Sequence, residues 1–142
     1  MQWAYHLSLP SHIWNHEATQ DIIHEVAVTV FLFNDLVSLK KEVVDSNVDS
    51  TIPILVWNEG ISAQDAVFKA QKMMEESWEK LLAAERRLGL VSESEQIKHD
   101  LAVLVDGCKD VTVGHMAYAL RALRYKTGVA FDGKDNGFSF VL

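Results

Sequence analysis

An all-α fold is what this sequence predicts, and three observations carry that reading. Apolar residues recur at intervals of three and four over long stretches, turn formers gather at a few places between those stretches, and strand-like alternation is absent before the last ten residues. The 142 residues, 49% hydrophobic and 23% charged, suffice for one core and leave no long disordered tract. Neither an internal repeat nor a linker divides the chain, so residues 1–142 are read as a single domain.

Residues 1–16, with Trp3, Tyr5, Pro10 and Trp14, read as the end of a helix and its connection. A first long helix is expected from about Glu17 to about Asp45. The stretch from Asp45 to Pro53 is dense in Asp, Ser, Asn and Thr and carries a proline, which makes it a loop. Ile54 to Trp57 reads as a short helical piece stopped at Asn58-Glu59-Gly60. Ser62 with Asp65 three residues on signals a helix start, and Gly89 signals a stop. Between them Ala66, Ala70, Met74, Trp78, Leu81 and Leu88 belong to an apolar stripe of about seven turns, read as core packing. After Ser92, a further N-cap candidate, Ile97, Leu101, Leu104, Val105 and Cys108 define another apolar face. The pattern continues from Asp110 to Tyr125, with Gly128 placed to end it.

The net charge of -7 argues against a nucleic-acid surface, and it makes the neighbouring cations Lys40 and Lys41 stand out. The lone Cys108 has no internal disulfide partner, which fits a reducing compartment. No cationic, apolar, small-residue sequence opens the chain. The longest apolar run, Val26 to Phe33, falls short of the ~20 residues of a membrane span. The expectation is a soluble, cytoplasmic chain with neither nucleic acid nor membrane as partner.

The stretch Val30 to Glu42 is where chemistry concentrates. At ~100° per residue, Asn34, Ser38 and Glu42 fall within an arc of ~80° at steps of ~6 Å. An amide oxygen, a hydroxyl and a carboxylate are hard donors, suited to Mg²⁺ or Mn²⁺, and Mg²⁺ takes its remaining ligands from water and phosphate. Lys41 falls on the same face, and a cation beside a metal suits a diphosphate. A polar row of this spacing is also what a solvated helix face looks like. Here it is set among Val30, Phe31, Leu32, Phe33, Leu36, Val37 and Leu39, which favours a lined pocket. Ala27, Val30 and Phe31 continue the same face one and two turns deeper and are expected to line the cavity under the ion, with the Phe31 ring facing a cation.

Asn34-Asp35-Leu36-Val37-Ser38-Leu39-Lys40-Lys41-Glu42 resembles the second metal-binding motif of class I terpene synthases, N-D-x-x-S-x-x-x-E. The Lys before the Glu is the form common in fungal and bacterial sesquiterpene cyclases. Leu9-Pro10, His16 and the lead-in from Glu17 to Val26 resemble the turn before that family's motif helix. A second constellation lies at Gly114 to Tyr125. Arg121 and Arg124 near a helix end suit the macrodipole, and Tyr118 and Tyr125, seven apart, share a face. The family's closing helix ends G-N-x-x-W-S-x-x-S-x-R-Y, which Gly114, Arg124 and Tyr125 match in register. His115, Tyr118 and Ala119 stand where Asn, Trp and Ser are usual.

The resemblance implies part of the class I terpenoid synthase helical bundle, a lyase that ionises and cyclises a linear prenyl diphosphate, with farnesyl diphosphate and a sesquiterpene product expected. It implies that Asn34, Ser38 and Glu42 hold one Mg²⁺, that Lys41 binds the diphosphate, and that Arg124 and Tyr125 serve as catalytic and diphosphate-binding groups. Tyr118 joins the pocket. Asp35, ~100° round from Asn34, is not counted a ligand and is expected to orient the Arg or Lys from behind.

The family also uses an aspartate-rich D-D-x-x-D/E motif well before this segment, and the present sequence supplies none. Asp106 and Asp110 lie after the motif, and Glu75-Glu76 sits opposite an apolar stripe. The resemblance therefore covers this whole chain but only the carboxyl-terminal half or less of the family fold. Part of a bundle leaves apolar faces open, so the expected partners are a second copy in a homodimer or the missing amino-terminal half. The rival reading is a truncated or degenerate non-catalytic helical module that binds a partner chain. His12 and His16, four apart, lack a third ligand for Zn²⁺, and His115 is read first as a packing residue.

Overall fold

The computed structural model describes residues 7–46, 48–91, 94–122, 130–131 and 138–139. Helices α1 (Ser11–Trp14), α2 (Glu17–Val44), α3 (Thr51–Glu59), α4 (Ala63–Leu88) and α5 (Glu95–Arg121) account for most of these residues. The all-α expectation holds. The one addition is a two-residue antiparallel pairing of β1 (Ala130–Phe131) with β2 (Phe138–Ser139), too short for an alternating pattern to announce it.

The helix starts follow from capping. His16 accepts the Ala18 N–H at Nδ1 (3.2 Å) at the head of α2, and Ser62 accepts the Asp65 N–H at 3.1 Å at the head of α4. α5 begins at Ser94, whose Oγ accepts the Ile97 N–H, rather than at Ser92, which lies outside the described residues. α3 begins three residues earlier than expected, because Pro53 sits in its first turn, where a missing N–H costs nothing. Gly60 ends α3 in the left-handed conformation (φ 65°), which a Cβ would disfavour. Gly89 follows α4 as expected, but with right-handed backbone. α5 is described to Arg121, with Ala122 extended after it, and the expected continuation to Tyr125 and stop at Gly128 lie outside the described residues.

Three clusters hold the helices together. The first joins Ile22 and Val26 of α2 to Leu81, Ala84 and Leu88 of α4 and to Leu101, Leu104 and Cys108 of α5, with Leu9 and Ile13 closing its end. A second joins Leu36 and Leu39 to Ile52 of α3 and to Ala66 and Ala70 of α4. The third joins Phe33 and Val37 to Ala119, with Met74, Met116 and Ala122 packed against it. The early half of α2 thus meets the late half of α4, so the two are antiparallel. α2 and α5 meet early to early and late to late, so they are parallel. Each fully buried Ile or Leu contributes about 1.5–3 kcal/mol. Polar bonds fix the α2–α4 register, since Ser77 Oγ lies 2.7 Å from Glu25 Oε2 and 3.0 Å from Thr29 Oγ1.

By length and mean hydropathy α2 could cross a bilayer, which the short apolar run alone did not suggest. Over half of its most apolar window is buried against α4 and α5, as in the core helix of a folded domain.

Candidate functional site

α2 positions the row. Ser38 is buried at 4% exposure, while Asn34 and Glu42 are half-buried one turn to either side. The Ser38 hydroxyl lies 2.7 Å from the Asn34 carbonyl oxygen and 2.5 Å from Glu42 Oε1, and both of those atoms are acceptors. The hydroxyl has a single hydrogen for these two acceptors, so it is committed to them. Glu42 Oε2 is buried and has no hydrogen-bond partner among the described residues. A carboxylate oxygen withdrawn from water with nothing to accept from is costly, and a cation would satisfy it. No three of His, Cys, Asp and Glu converge among the described residues. A cation site here must therefore draw on amide and hydroxyl oxygens, as the Asn34-Ser38-Glu42 set does, and these donors fit Mg²⁺.

Lys41 is half-exposed and pairs with Asp45 one turn on. Such a surface pair is worth at most ~1 kcal/mol, so the ammonium can exchange it for a stronger anion. Asp35 does something other than orient a cation. Buried at 4% exposure, it accepts at Oδ2 from the Thr51 N–H (2.8 Å) and the Thr51 hydroxyl (2.6 Å), and so caps α3 from α2. The reason is its direction on the helix. About 100° from Asn34, it faces α3 together with Leu36 and Leu39 rather than the ligand row.

The residues expected to line a pocket are largely exposed. Ala27 is exposed, Val30 half-buried, and Phe31 and Tyr118 are 69% and 68% exposed. The walls that would enclose them are not contributed by α1–α5. His115 packs edge-on against Phe33, with ring centres 6.3 Å apart, and its buried Nε2 has no partner among the described residues. Ala122, the last described residue of this region, is packed against the cluster of Phe33 and Val37, on the turn that carries Asn34 and Ser38. Arg124 and Tyr125 lie outside the described residues. Sequence reasoning missed the cap made by Asp35, because it needs a partner 16 residues away that no local pattern reveals.

A helical domain with hard oxygen donors in a row on a buried helix is the class of structure in hand. Residues 1–80, more than half of the chain, match the family described as terpene synthase family 2, C-terminal metal binding, and the chain belongs to that family. Among curated proteins it is similar to terpene cyclase braA of Annulohypoxylon truncatum, with 29% identity over 87% of this chain and 33% of that protein. Terpene cyclase 4 of Gibberella fujikuroi is 26% identical over 88% of this chain and 33% of its own length. Sesquiterpene synthase Agr1 of Cyclocybe aegerita is 25% identical over 88% and 36%. The chain spans about a third of the length of these relatives.

Proposed function

We propose that this chain supplies one metal-binding and diphosphate-binding wall of a terpene cyclase, acting on a linear prenyl diphosphate, with farnesyl diphosphate to a sesquiterpene the favoured case. The observation that carries it is the bond from Ser38 Oγ to Glu42 Oε1, with Glu42 Oε2 buried beside it and without a partner among the described residues. Asn34, Ser38 and Glu42 would hold one Mg²⁺, which supplies Lewis-acid stabilisation of the departing diphosphate. Lys41 leaves Asp45 and donates to the diphosphate oxygens, joined by Arg124 and Tyr125 as negative charge develops there. Ala27, Val30, Phe31 and Tyr118 offer the hydrocarbon chain an apolar, aromatic surface that keeps water away from an allylic cation. The names of the relatives, two terpene cyclases and a sesquiterpene synthase, support the substrate class. The open face is closed by a counterpart of the relatives' remaining two thirds or by a second copy, and the assembly works in the cytoplasm.

The test is thermal unfolding with pyrophosphate in the presence and absence of Mg²⁺. Saturating both should raise the unfolding temperature by about 2–8 °C, since ligand at ten times Kd adds about 1.4 kcal/mol. Glu42→Gln should abolish the rise. No Mg²⁺-dependent shift in the wild-type chain would favour the non-catalytic module instead.

A further inference from the structure

Asp35 and Thr51 close a segment of chain that contains two of the three candidate ligands. The carboxylate Oδ2 holds both the N–H and the hydroxyl of Thr51, at 2.8 and 2.6 Å, and Asp35 is buried. Ser50, the residue in the N-cap position of α3, makes no side-chain cap bond of its own, and its buried Oγ has no partner among the described residues. The start of α3 is thus capped from α2. Ser38 and Glu42 lie between the two tied residues, and Glu42 stands only two residues from the end of α2, where Val43 and Val44 are exposed. An exposed last turn frays unless something beyond it is anchored.

We infer that Asp35 is a positioning residue for the candidate metal site, which holds the end of α2 and the following loop in register by tying them to the start of α3. This rests on the proposed function for its consequence but not for its geometry. A rotation of α2 by ~10° would move a side-chain oxygen by about 1 Å, well beyond the ~0.2 Å that metal coordination tolerates. Charge on Asp35 is not what the tie requires, because an amide oxygen in the same place can accept from both Thr51 donors.

Amide hydrogen exchange of the whole chain tests it. In Asp35→Ala the amides of Asp45, Ser46 and Ile54, whose bonds to Lys41, Val43 and Ser50 lie at this junction, should exchange about tenfold faster or more, as loss of a charge-assisted bond implies. Asp35→Asn should stay within about threefold of wild type, and Thr51→Ala, which loses only the hydroxyl bond, should fall between. The amides of Ala66 and Ala122, bonded elsewhere, should be unchanged. Equal acceleration at every amide, no acceleration, or Asp35→Asn behaving like Asp35→Ala would overturn the inference. Should Asp35→Ala fail to fold, Thr51→Ala and Asp35→Asn decide by the same comparison. Mn²⁺ titration of the same variants separates the two readings. Affinity lost in Asp35→Ala and kept in Asp35→Asn supports the positioning role, whereas Glu42→Gln binding Mn²⁺ like wild type would sink the metal site and leave the exchange result standing.

Discussion

Glu42 Oε2 and Cys108 show how one fold sets the chemistry of single groups in opposite ways. Glu42 is half-buried with one oxygen held by Ser38 and the other without a partner among the described residues, an arrangement that invites a cation. Cys108 is fully buried in the main core, and burial pushes its thiol up from 9.0 to about 11. The thiolate is the reactive form, so the folded chain should resist alkylation at pH 8 and react only as fast as it opens. The sign of the linkage follows. The unfolded thiol ionises from about pH 9 and the folded one only near pH 11, so the stabilising term is complete below pH 9 and is lost between pH 9 and 11. Denaturant titrations across that window should show a decline that Cys108→Ala removes. At this scale much was legible: that Asn34, Ser38 and Glu42 stack along α2 within reach of one another follows from spacing alone. The cap made by Asp35 was not, because its partner is set by a loop crossing and not by helical period.

At the scale of elements, α2 and α4 were readable almost residue for residue, because period, caps and stop signals agree along them. α3 and α5 were less so. Pro53 reads as a loop residue by type but is tolerated in a first turn, and the expected end of α5 at Tyr125 lies outside the described residues. Gly114 is instructive in the same way. It lies within α5, yet nothing comes within 4 Å of the place its Cβ would occupy. Gly114→Ala should therefore stabilise the chain by about 0.5–1 kcal/mol through helix propensity, measured by denaturant unfolding. Destabilisation would mean that a side chain there meets something that α1–α5 do not provide.

The whole molecule is a set of antiparallel and parallel helix contacts closed on one side and open on the other. The closed side carries Leu81, Leu104 and Ile22, while the open side presents Phe31 and Tyr118. In the proposed function these rings are covered by a further body. The candidate site lies on the later half of α2. Its buried member is Ser38, and its half-buried members are Asn34 and Glu42. The fold class was legible from periodicity. The exposure of Phe31 was not, because it depends on which helices pack against α2 and not on the period of α2 itself.

The most direct measurement is a Mn²⁺ titration of the chain with pyrophosphate present, followed by the electron paramagnetic resonance of free Mn²⁺. One ion should bind, with affinity falling at least about tenfold in Glu42→Gln, as expected for loss of a carboxylate ligand, and unchanged in Glu75→Gln, an exposed carboxylate on α4. Equal binding by wild type and Glu42→Gln would contradict the assignment of Asn34, Ser38 and Glu42 as a metal site.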